Sequence, residues 1–398
     1  MKFTFTINGG DHMDAEKEAV SLHSRVLQNM AADVVNLTVY RKPSQPAIFA
    51  HDDKVVIYRD GVRWFSGRAS SPVKFHGAQG YGHGHQITGP WQLLERSIYN
   101  WTYDTPEAFP GDGYPLKLPP TTQRMWAMMA AFITTTDLAG EFAQTAWPTD
   151  VPAAIYYAYP TAVNVPLADN YRTIASYHLK SCIAWDYSTT PPTLQVRGIR
   201  TDRRTIDAAD VSEINLARRD DLAVKGVELR LPVPAYFDDR RGAMTLSVPQ
   251  PTDGSRYPAD CVTGSLDVLP LEGSAESYVY NSAVAHYIFN QLSAPVWEGQ
   301  ITLRSPLSDT ALVPGCTINL ANLTDADDPL WGSMDATIIK VSEGLLDGQT
   351  IIELGSNNLP DATTAAERFL DWSKVRPWIP NNPWLQFYPP IYTTPLPV

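Results

Sequence analysis

The run KVVIYRDGVRWFSGRA, from Lys54 to Ala69, constrains the fold more than any other stretch of the chain. Val56 and Tyr58 lead into Asp60-Gly61, and Arg63, Phe65 and Gly67 lead out. An Asp-Gly pair between two strand-like runs predicts a β-hairpin, because glycine tolerates the positive φ of a type I′ turn. The same short, alternating style recurs at Phe3, Phe5 and Ile7 and in VVNLTVY, Val34 to Tyr40. Prolines (33) and glycines (24) punctuate the whole length, and the longest apolar run is MWAMMAAFI, Met125 to Ile133. Such a chain reads as mostly β. Its longest apolar run is far below the roughly 20 residues a membrane-spanning helix needs, and MKFTFTINGGD has no apolar core of signal-peptide length, so a soluble protein is expected.

With 398 residues, 44% of them apolar, the chain can fill several cores. The first hundred residues predict a small sheet or barrel, interrupted by a helix at about Ala15 to Asn29. In TGPWQLLERSIYNW, Thr88 as N-cap, Pro90 near the first helical position and Leu93, Leu94 and Ile98 on one face predict about three helical turns. Trp101 to Pro120 is rich in Pro, Gly and Asp and reads as a linker. Thr121 and Thr122 can cap a helix through Ile133 with Met125, Met128, Met129 and Phe132 as its apolar stripe, a core stripe by its spacing. A further helix is expected from Pro166 to Ser181, with Leu167, Tyr171, Ile174 and His178 on one face, followed by the strand-like CIAWDYS and TLQVRGI.

Strands return in EINLARR, LAVKGVELRLPV and RGAMTLSVP, then a helix from Ser274 to Leu292. Trp297 to Gly355 reads as a meander or barrel of four strands, broken at Pro314-Gly315 and Asp347-Gly348. Beyond Asp371, Trp372, Trp378, Trp384, Phe387, Tyr388 and Tyr392 alternate with seven prolines. That composition can build neither helix nor ladder, so it predicts an extended arm. Aromatic residues on a pre-extended backbone have the character of interface anchors, and these six are the candidate partner-binding residues.

Chemistry is sparsely signalled. HGAQGYGHGHQITGPW, His76 to Trp91, concentrates three histidines and five glycines, yet it fails a GxGxxG fingerprint in both registers and has no Gly-Lys-Ser/Thr ending. His83 and His85 share a strand face, with His76 across a turn, but the one acidic group offered as a further ligand is the distant Glu95. A turn entering a polar-faced strand is the expectation, with no metal site. DADDPLWG, Asp325 to Gly332, has Leu330 and Ala336 where a calcium loop needs Gly and Glu. Asp220-Asp221 and Asp238-Asp239 adjoin Arg218-Arg219 and Arg240-Arg241 and read as solvated turns. Cys182, Cys261 and Cys316 are isolated and read as buried thiols. Neither a nucleophile elbow nor a zincin motif occurs, and no catalytic residue or cofactor is expected. The net charge of -12 disfavours nucleic-acid binding, although an acidic surface can line a passage through which DNA moves.

Several segments in order resemble phage tail hub proteins: KVVIYRDGVRWFSGRA, GPWQLLERSIYN, CIAWDYSTTPPTLQV, and SPLSDTALVPGCTINL followed by WGSMDATIIKVSEGLLDGQTIIELG. Such proteins are similar to the hub portion of contractile-tail baseplates and of type VI secretion spikes. The resemblance implies a mostly β chain with an α+β insertion: two related β-barrel-like domains (1–105 and 206–371), a small α/β module (106–205) and, peculiar to this chain, the extended arm (372–398). It further implies a homotrimer adapting a sixfold tail tube to a threefold tip, with a distal tail protein hexamer above and the tape measure protein ending inside. A central tail fibre or other tip protein attaches below, and DNA passes through during ejection without sequence-specific binding. The chain would then be a virion protein made in the host cytoplasm. The rival readings are a tail-associated cell-wall hydrolase, using paired carboxylates or a metal at His83 and His85, and a carbohydrate-binding receptor protein stacking sugars on the tryptophan-rich arm or a barrel face.

Overall fold

The computed structural model describes residues 2–42, 44–77, 80–102, 122–148, 161–176, 181–198, 203–219, 226–232, 243–248, 261–265, 286, 289, 296–304, 312–322 and 336–355. The first part contains strands β1 (Phe3–Ile7), β2 (Met13–Asp14), β3 (Val20–Gln28), β4 (Val34–Tyr40), β5 (Lys54–Arg59), β6 (Val62–Ala69), β7 (Val73–Gly77) and β8 (Gly80–Thr88). Helix α1 (Trp91–Arg96), β9 (Ile98–Thr102), α2 (Thr122–Thr134), β10 (Ala143–Gln144), β11 (Thr161–Pro166), α3 (Leu167–Ser176), β12 (Ser181–Asp186) and β13 (Thr193–Gly198) follow. The remainder is β14 (Arg203–Asp207), β15 (Val211–Arg219), β16 (Gly226–Pro232), β17 (Ala243–Val248), β18 (Cys261–Ser265), β19 (Val296–Leu303), β20 (Thr317–Ala321), β21 (Ala336–Gly344) and β22 (Thr350–Leu354). The chain is mostly β, as its alternating sequence predicts.

One sheet runs in the order β15-β19-β22-β21-β3-β4-β8-β6-β5-β1-β2, with β7 attached to β8 and β14 and β20 attached at β21. The Asp60-Gly61 hairpin joins β5 to β6, and both turn residues have positive φ (50° and 81°), the geometry a type I′ turn requires. Val55, Ile57, Phe65, Leu37, Val39 and Ile87 turn their side chains into a common apolar interior. β3 bridges the halves of the sheet: Val20 to Val26 pair with β4, while Ser24 to Gln28 pair with Gly344 to Lys340 of β21. β20, β21 and β22 are successive neighbours, but β19 joins beyond β22, so the last four strands are not a simple meander.

Two helical expectations need correction. Residues 15–19 form a turn, and Val20–Gln28 is strand rather than helix. The helix formers Ala15 to Glu18 end in that turn, and from Val20 onward β4 and β21 offer β3 a backbone partner on each side. The helix after Pro90 stops at Arg96, where the Ser97 backbone becomes extended and its hydroxyl donates to the Leu93 carbonyl at 2.8 Å. Ile98, expected on its apolar face, instead begins β9, which pairs with β11. α2 spans the expected residues with Met125 and Met129 fully buried. α3 is shorter than expected, since Ser181 already belongs to β12. His178, and the Ser274 to Leu292 helix apart from the helical His286 and Phe289, lie outside the described residues. CIAWDYS and TLQVRGI pair antiparallel as β12 and β13, and β10 adds parallel to β13. Trp126, Trp147 and Tyr171 pack edge-to-face beside them.

Candidate functional site

Alternation along β8 sends Tyr81, His83, His85 and Ile87 to one face, opposite Val39, Leu37 and Val35 of β4 for the last three. The intervening Gly82 is required by packing: a Cβ there would come within 2.4 Å of the Phe75 ring and 2.8 Å of the Val39 carbonyl oxygen. His83 and His85 are 8% and 4% exposed, with ring centroids 6.3 Å apart, and Phe49 meets His85 edge-on at 5.2 Å. Nδ1 of His83 has no hydrogen-bond partner among the described residues, and the polar group that His85 meets is the Ser70 backbone. Burial, and then the neighbouring His83, hold the His85 pKa down at about 4, so it is neutral at pH 7. His76 stacks instead on Tyr81 at 4.1 Å, and Glu95 pairs with Arg172 at 2.8 Å. Among the described residues no three His, Cys, Asp or Glu side chains gather as a metal site.

A buried charge cluster sits where β3 meets β21. Arg25 Nε donates to Glu343 Oε2 at 2.7 Å, and Arg59 lies 3.9 Å from the other carboxylate oxygen. These side chains are 5%, 2% and 8% exposed for Arg25, Glu343 and Arg59. Arg25 also donates to the Trp64 carbonyl at 3.1 Å and lies 4.2 Å over the Trp64 ring. Three charges in so dry a place need mutual pairing, and the seam supplies it. Nothing local in the sequence marks it, because Arg25 and Glu343 are 318 residues apart.

A second buried junction ties the start of the chain to the α/β segment. Asp33, between β3 and β4, accepts from the Gln28 amide and from the Tyr187 hydroxyl, each at 2.7 Å. Its own carbonyl accepts from the Gly89 amide at 2.7 Å, and a Cβ on Gly89 would fall 2.4 Å from the Tyr187 oxygen. Burial raises the Asp33 pKa to about 7, against the two hydrogen bonds and the more distant Arg25 charge, which lower it. Cys182 and Cys316 are buried thiols, and burial pushes Cys182 up to about 12, which leaves it a poor nucleophile.

Asp325 to Gly332, Asp220-Asp221 and Asp238 to Arg241 lie outside the described residues, as do Trp372, Trp378, Trp384, Phe387, Tyr388 and Tyr392. Arg219 pairs with Glu298 at 2.7 Å, and Cys261 lies in β18. The buried groups found here hold strands together; they present no nucleophile beside a general base to solvent.

No protein-family model matches the chain, and no curated protein sequence does either. Solved structures do. The tail protein from Neisseria meningitidis MC58 superposes with a TM-score of 0.51 at 11% identity, covering 91% of this chain and 99% of that one. Prophage tail protein gp18 from Listeria monocytogenes EGD-e gives a TM-score of 0.52 at 9% identity, covering 94% and 100%. Similarity at this identity is similarity of fold, and it runs nearly end to end: the chain has the fold of phage tail proteins.

Proposed function

We propose that the chain is a structural protein of a phage or phage-like tail tip, and specifically its hub. The observation that carries this reading is the fold match over almost the full length of two tail proteins, with little of either left for a separate activity. The buried ionic seam and the Asp33 junction support it, since both serve rigidity rather than turnover. In this reading the hub is a homotrimer that adapts a sixfold tube to a threefold tip and lets DNA pass. It meets the distal tail protein hexamer, the end of the tape measure protein, and a central fibre or other tip protein. The divisions 1–105, 106–205, 206–371 and 372–398 are its proposed domains, and the six aromatic residues of the last segment anchor a partner.

Mass measurement of the purified full chain, followed by negative-stain imaging, tests this. A trimer imaged as a threefold ring is expected, and a monomer at every concentration and in the presence of distal tail protein would overturn the hub reading. Removal of residues 372–398 is expected to leave a folded core that no longer joins its tip partner. Unimpaired joining would remove the arm from the interface.

A further inference from the structure

Two cysteines distant in sequence meet where the α/β segment touches the last strands. Cys182 lies in β12 and Cys316 stands just before β20, and they are 1% and 0% exposed. One residue of β21 gathers both. The Cys182 thiol donates to the Ile338 carbonyl at 3.6 Å, and the Ile338 amide donates to the Cys316 carbonyl at 2.9 Å. The Ile338 carbonyl also accepts from the Gly315 amide at 2.8 Å. Gly315 has no side chain to hold the segments apart: a Cβ there would fall 3.3 Å from the Cys182 Cβ and 2.6 Å from the Arg197 Cβ. The sulfurs are near enough for charge on Cys316 to raise the Cys182 pKa.

Their surroundings differ. Arg197, directly across from Cys182 in the β12–β13 ladder, donates from Nη1 to Cys316 Sγ at 3.7 Å. A guanidinium beside a sulfur favours the thiolate, which is the form that reacts. Cys182 stays a thiol within reach of it. An activated sulfur beside a second, resolving one is the arrangement that peroxide converts to a disulfide. We propose that Cys182 and Cys316 form an intrachain disulfide on exposure to peroxide, stapling the α/β segment to the closing strands.

The chemistry runs in two steps. The Cys316 thiolate attacks one peroxide oxygen, the O–O bond breaks, and the departing hydroxide takes up the proton that the Cys316 thiol had shed, leaving a sulfenic acid and one water. The Cys182 sulfur then attacks the Cys316 sulfur, the S–O bond breaks, and the Cys182 proton leaves with the hydroxyl as a second water. Two thiols are oxidised and one peroxide is reduced. Hydrogen peroxide is close to water in size, so local opening of the strands admits it. The second step is slow, because burial keeps Cys182 protonated.

Treatment of the reduced full chain with hydrogen peroxide, acid quenching, alkylation in denaturant and digestion without reductant reads this directly by mass spectrometry. A linked peptide joining Cys182 to Cys316, lighter by two hydrogens and separated by reductant, is expected. The stapled chain should unfold several degrees higher than the reduced one, because closing so long a loop constrains the unfolded chain. In Cys182→Ser the reaction is expected to stop at a Cys316 sulfenic acid, trapped by dimedone. The linked peptide is sought first in the unaltered protein, whose result stands whether or not that variant folds. Both thiols recovered intact from the folded chain, a bridge to Cys261 in place of the expected one, or a linkage no faster in the folded chain than in denaturant would each overturn the proposal.

Discussion

Replacing Glu343 with Gln is the sharpest perturbation of the seam between β3 and β21. The substitution keeps shape but leaves two guanidinium groups, Arg25 at 2.7 Å and Arg59 at 3.9 Å, facing a neutral amide in a place where their side chains are only 5% and 8% exposed. Removing one partner of a buried ion pair typically costs about 3–5 kcal/mol, because the remaining charge has lost its compensation without regaining water. Arg25→Met is expected to cost less, since Glu343 keeps Arg59 as counter-ion and the net charge of the site falls to zero. Local opening is read by exchange of the β3 and β21 amides that ladder Val26 to Ser342 and Leu27 to Val341. At about 1.4 kcal/mol per tenfold, protection there should drop by roughly two to four orders of magnitude in Glu343→Gln, and by less in Arg25→Met. A loss below about 1 kcal/mol in Glu343→Gln, or a reversed order of the two variants, would refute the view that charge pairing rather than shape holds the seam.

Other expectations follow from single contacts. Gly67→Ala drives a Cβ to 2.2 Å from the Thr88 carbonyl oxygen, a backbone atom that cannot swing away, and should destabilise by about 1–3 kcal/mol or more in thermal unfolding. Asp33 has a folded pKa near 7 against 3.8 unfolded, so its ionised form opposes folding. Relative to Asp33→Asn, the unaltered protein should therefore lose roughly 4 kcal/mol as pH rises from 4 to above 7, measured as the difference between their denaturation curves. Tyr187→Phe removes the donor that steadies the Asp33 carboxylate at 2.7 Å, and should raise the Asp33 pKa further, read by carboxyl carbon NMR.

Local chemistry made part of this architecture legible. The Asp60-Gly61 hairpin was readable because its turn is determined by two adjacent residues, and α2 because its methionine stripe repeats within one helix. β3 was not. The residues just before it, Ala15 to Ala19, carry Ala, Glu and Lys, and what makes Val20–Gln28 a strand is backbone pairing to segments 8–19 and more than 300 residues away. Arg25, Asp33, Tyr187 and Glu343 escaped for the same reason: each is an unremarkable polar residue until folding brings its partner. Tyr187 at least lay within CIAWDYS, and the glycine that its hydroxyl needs, Gly89, within TGPW. The histidines were visible as a cluster, but their apolar neighbours Leu37, Val39 and Phe49 come from elsewhere in the chain.

The sharing of β3 between two sets of strands bears on how the proposed divisions can be tested. A fragment of residues 1–105 retains β4 as a partner for β3 but loses β21, leaving the backbone of Ser24 to Gln28 unpaired along one edge. It also loses Glu343, so Arg25 keeps the Trp64 carbonyl and ring but no carboxylate. An exposed strand edge is a template for pairing with other chains. A buried cation without its counter-ion adds a cost of several kcal/mol. The fragment is therefore expected to self-associate through β3, with a concentration-dependent mass in light scattering. Adding Arg25→Met should restore part of its stability while leaving the open edge. A fragment 1–105 that stays monomeric and fully protected at Ser24 to Gln28 would show that the first division folds without the seam, and that β21 docks onto an edge already rigid.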